Sequence, residues 1–109
     1  MALDPQDLAG RLVSAAAQSA GTSWNTIRQT ATIEFQSLAQ TIVMIVEARL
    51  SGEMTNDMAA RHFQTARYHL VAIIAMLTTL VESAIETIVN GALATIRTTV
   101  NDAIGFALI

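Results

Sequence analysis

The sequence predicts an all-α protein: a short N-terminal helix, then a long antiparallel helical hairpin, completed into a helical bundle by self-association. Three observations carry this prediction. Apolar residues recur at three- and four-residue steps through most of the chain. From Leu70 onward they also recur every 11 residues, with Leu70, Val81, Ala92 and Ala103 in one row. Ile74, Ile85, Ile96 and Ala107 form a second row, and Leu77 and Ile88 begin a third that decays at Thr99. Finally, 52% of the residues are apolar and only 14% charged, more apolar side chain than a thin hairpin covers by itself.

The elements follow in order within one domain, 1–109. Asp4 suits a helix N-cap, Pro5 the first helical position, and Asp7 places an acid in the first turn. The first helix is expected over about 5–20, with an alanine-rich face on Leu8, Leu12, Val13 and Ala16 and Gly21 as its C-terminal stop. A second is expected over 23–50, where Ile27, Ala31, Phe35, Leu38, Ile42, Val46 and Leu50 make the stripe. Ser51-Gly52 ends it, and Thr55 caps the third.

The third helix is expected to run over 55–106. Asn90-Gly91 is its one candidate kink or break, because Asn-Gly is a turn signal. The 11-residue register crosses that dipeptide unchanged and favours a continuous rod. Eleven residues in three turns suits a nearly straight helix, about 75 Å long at 1.5 Å per residue.

If the hairpin turns near Glu53, opposite charges face one another: Arg49 with Asp57, Glu47 with Arg61, Glu34 with His69, and Arg28 with Glu82. Such pairs set register more than they stabilise. The C-terminal tail, apolar to its last residue, is expected to dock on the first helix or on a neighbouring subunit. Thirteen threonines are many for a helical chain. Their hydroxyls suit bonds back to the carbonyl one turn earlier or across a helix interface.

Composition excludes several functions. A net charge of −3 argues against nucleic-acid binding. Without cysteine there is no disulfide framework and no thiolate site. The acidic N-terminus does not read as a signal peptide, and no uncharged run has the length of a membrane span. A cytoplasmic location, or one within an assembled particle, is therefore expected.

The chemistry-bearing residues are few. His62 and His69 share one helix face, and Glu34 approaches His69 across the hairpin. Glutamates and histidines inside a bundle are the donor set of ferritin-like carboxylate sites. The alternative reading is accordingly a metal-binding four-helix bundle formed by dimerisation, with Glu34, His62, His69 and Glu82 holding iron, manganese or zinc. The Glu-x-x-His pattern of those sites is absent. No Gly-x-Ser-x-Gly or glycine-rich phosphate loop occurs either. The leading expectation is a non-enzymatic, cofactor-free subunit that assembles with itself into an oligomer, filament, shell or phage-type particle. Its contact surface is expected on the outer apolar rows: Ile73, Leu80, Ala84, Val89, Leu93, Val100 and Ile104. A further alternative is an amphipathic coat on a lipid or polymer surface.

Overall fold

A computed structural model describes residues 3–109. It comprises four α-helices and no strand among those residues: α1 (Pro5–Ala20), α2 (Trp24–Leu50), α3 (Asn56–Leu77) and α4 (Glu82–Ile104), with a single 3-10 turn (Gly21–Ser23) between α1 and α2.

Local chemistry sets most of the boundaries. The Asp4 carboxylate accepts from the Gln6 amide at 3.0 Å, and Pro5 opens α1. Gly21, at φ 58°, turns the chain out of it. Between α2 and α3, Gly52 takes φ 84° and the Glu53 amide donates to the Ala48 carbonyl at 2.9 Å. The Thr55 hydroxyl then accepts from the Met58 amide at 3.1 Å. The Asp57 carboxylate lies in the first turn of α3, where the helix dipole favours it.

The expected 55–106 rod is two helices. The chain leaves the helix at Thr78, whose backbone is extended (φ −130°, ψ −179°), and re-enters after Val81 (φ −74°, ψ 155°). Asn90-Gly91, the expected weak point, is helical and inside α4. The β-branched residues Thr78, Thr79 and Val81 favour the break. The Thr78 hydroxyl donates to the Ile74 carbonyl at 2.6 Å, a side-chain bond across the last turn of α3.

Long-range burial decides it. Folding α4 back buries Ile85, Ile88, Val89, Ala92, Leu93, Ile96, Val100 and Ile104. Each larger side chain contributes about 1.5–3 kcal/mol on burial. The few helix hydrogen bonds given up are worth about 0.5–1.5 kcal/mol each. The long axis of the molecule is accordingly 41 Å, with cross-sections of 21 and 19 Å.

The bundle is closed within one chain. α1 packs on α2 and α4, α2 on α3, and α4 returns against α3 and α2. One core runs through all four helices, from Leu8 and Leu12 through Phe35, Phe63 and Ile74 to Ile96. No polar or charged residue is buried among the described residues. The fourfold packing expected from two hairpins is thus supplied by α1 and α4.

Polar groups tie α1 to α4. Arg11 Nη1 donates to Thr99 Oγ1 at 3.2 Å, and Nη2 to the Thr95 carbonyl at 3.0 Å. Thr87 donates to the Ser83 carbonyl at 3.1 Å and Thr95 to that of Ala92 at 2.7 Å, so threonines serve both expected roles.

The charge ladder does not form. The ion pair among the described residues is Arg61 with Asp57 at 3.0 Å, one turn apart on α3 and largely exposed. Arg49 bonds instead to the Asn56 side chain. Surface side chains reach the nearest acceptor or water, because a long exposed pair gains little from being held.

The tail docks on its own chain. Gly105, at φ 88°, ends α4. Asn101 Oδ1 accepts from the Leu108 and Ile109 amides at 2.9 and 3.0 Å. Leu108 is buried in the core.

Candidate functional site

The apolar rows expected at the surface divide in two. Val89, Leu93, Val100 and Ile104 are buried inside the chain, in the core that α4 shares with the other helices. An unbroken rod leaves them no partner in the same chain, whereas α4 folded back gives them one. Ile73, Leu80 and Ala84 are half-buried and lie on either side of the α3–α4 connector.

Exposed large apolar residues are spread over α2 and α3 (Ile33, Met44, Leu50, Met58), and three more fall together in sequence at that connector. Met76 is 77% exposed, Leu77 65% and Val81 66%. All three sit within six residues of one another, bordered by Ile73, Leu80 and Ala84. Leu77 and Val81 belong to the 11-residue rows, and the break at Thr78 turns both outward while Ile74 and Ile85 stay in the core. The spacing pointed to their inward burial. The only sequence signal for the corner is the β-branched Thr78-Thr79 pair beside Val81. Tyr68 is also exposed, under the Arg67 guanidinium at 4.7 Å, whereas Phe63 is buried.

The alternative metal set is dispersed. Glu34 and His69 line one small crevice of about 60 Å³ between α2 and α3, with Ser37 and Thr41. This is the cross-hairpin proximity the sequence suggested. His62 is exposed on α3, and Glu82 opens α4 beyond the connector. Among the described residues no group of three or more His, Cys, Asp or Glu stands close enough to hold an ion. Glu34, His62, His69 and Glu82 therefore do not form a ferritin-like centre in this chain.

Two open grooves flank α1. One, of about 580 Å³, is lined by Gln6, Asp7, Arg11, Gln18 and Thr95. The other, of about 730 Å³, lies against Val13, Thr32, Gln36 and Gln40. Their walls are amides, hydroxyls and small apolar groups, and neither brings an imidazole to a hydroxyl or a second carboxylate. No described helix is long and apolar enough to cross a membrane.

Comparison of the chain with protein-family profiles, curated proteins and solved structures gives no match.

Proposed function

We propose that this protein is a non-enzymatic helical subunit that associates with copies of itself through the apolar corner at the α3–α4 connector. The observation that carries the reading is the exposure of Met76, Leu77 and Val81 within six residues of sequence, among half-buried Ile73, Leu80 and Ala84. Contiguous exposed apolar groups are the usual mark of a contact surface, whereas single ones are ordinary. An amphipathic coat is less well supported, because the broad apolar face of α4 already packs within the chain.

Light scattering across the micromolar range tests the proposal. The native chain is expected to exceed its 11.6 kDa monomer mass. Leu77→Asp with Val81→Asp is expected to lower that mass by removing the corner contact, with helicity intact. A native chain that stays monomeric throughout that range would overturn the proposal.

A further inference from the structure

Between Pro5 and Leu50 the chain departs from right-handed helical backbone in essentially one place. Ala20 (φ −77°, ψ −26°), Ser23 (φ −67°, ψ −18°) and Trp24 (φ −56°, ψ −40°) are all right-handed helical, and Thr22 lies within the 3-10 turn. Only Gly21, at φ 58° and ψ −127°, turns α1 back along α2. That combination is open to glycine and strained for any residue with a Cβ. Ser23 supplies no side-chain cap to α2, so nothing local marks a new helix start there.

Straightening Gly21 would fuse α1 and α2 into one helix and lift Leu8, Leu12 and Ala16 from the groove between α2 and α4. An identical α1 from a second copy fits that groove with the same contacts, so the exchange is neutral except at the hinge. The three-residue turn sets α1 antiparallel to α2. Two straightened helices crossing at Gly21 about a twofold axis therefore restore the same pairing. The residues at the crossing, Ser19 to Ser23, are small.

We infer that α1 is an exchangeable element, and that two copies of this chain pair by trading α1 through opening at Gly21. The exchange goes beyond the corner contact proposed above and uses a different surface.

The close approach of α1 to α4 supplies a test. A Cβ at Gly91 stands 3.6 Å from the Ser19 Cβ, within the roughly 3.5–4.5 Å that a disulfide needs. The chain has no other cysteine. Full-length Ser19→Cys and Gly91→Cys variants are mixed, equilibrated at increasing concentration, oxidised and separated without reductant. Ser19→Cys mixed with Thr65→Cys, an exposed position on α3, gives the background of chance collisions. A linked heterodimer above background, rising with concentration, is the expected result. Gly21→Ala in both chains is expected to raise its share about tenfold, because the hinge then disfavours the turn by that order. A Cβ at Gly21 meets nothing within 4 Å, so the change acts through the backbone alone. A heterodimer that stays at background in the chains with native Gly21 would overturn the proposal, whether or not Gly21→Ala folds. Adding Leu77→Asp with Val81→Asp separates the two contacts: the pair removes corner association and leaves this link unchanged.

Discussion

Gly91 on α4 faces Ser19 on α1 so closely that a Cβ added to the glycine would stand 3.1 Å from the serine Oγ. Two helices approach there with only a hydroxymethyl group between them. The glycine is thus a contact residue in mid-helix, where α1 packs on α4. The serine hydroxyl is at the end of an exposed, rotatable side chain, so a single methyl is accommodated when it turns away. Gly91→Ala is expected to stabilise the fold by about 0.5 kcal/mol or less, the helix-propensity difference reduced by the tight contact with Ser19. Gly91→Leu is expected to destabilise it by about 1–3 kcal/mol, as overpacking does. Urea unfolding of both variants checks the opposite signs.

Arg11 is the polar clamp on the same pair of helices, with one nitrogen on the Thr99 hydroxyl and another on the Thr95 carbonyl. Its removal leaves acceptors that water reaches, so the loss is moderate. Arg11→Ala is expected to cost about 1 kcal/mol. Asp57→Ala, which breaks the exposed pair with Arg61, is expected to cost about 0.5 kcal/mol or less. Thermal unfolding that ranks the two in the reverse order would contradict the assignment of the clamp.

The α3–α4 break can be tested with proline. Glu82 is the first residue of α4, and Val81 before it is extended at φ −74°, ψ 155°. That is the backbone that a following proline demands, and the first helical position is where proline is favoured. Glu82→Pro is expected to leave stability unchanged or raise it by about 0.4–1 kcal/mol. In a continuous 55–106 helix the same change would cost about 3 kcal/mol. Equilibrium unfolding distinguishes these outcomes directly.

The tail hangs on one side chain. Asn101 Oδ1 receives both the Leu108 and Ile109 amides, and Gly105 at φ 88° directs the chain back toward it. Asn101→Ala is expected to cost about 1–2 kcal/mol, because it removes two bonds and loosens the burial of Leu108. Gly105→Ala is expected to cost about 1 kcal/mol through its left-handed backbone. Hydrogen exchange at the Leu108 amide is expected to accelerate in both variants.

The sequence by itself determined what near neighbours decide. The all-helical class came from three- and four-residue apolar spacing. The start at Asp4-Pro5 and the Thr55 cap came from side chains that bond to backbone within a turn, the stop at Gly21 from glycine's access to positive φ, and the extent of α2 from its apolar stripe. The proximity of Glu34 to His69 was legible too, because a short turn near Glu53 fixes register on both sides of it.

Tertiary structure alone decided where the last helix breaks and which apolar rows stay outside. An 11-residue register reads the same through one rod or through two helices joined by four residues, so Leu77 and Val81 looked buried and Val100 and Ile104 looked free. The break at Thr78 reversed both assignments. The physical reason is that local propensity separates helix from connector at 78–81 by only small amounts. Burying eight α4 residues against neighbours distant in sequence outweighs it, and only the folded chain brings those neighbours together.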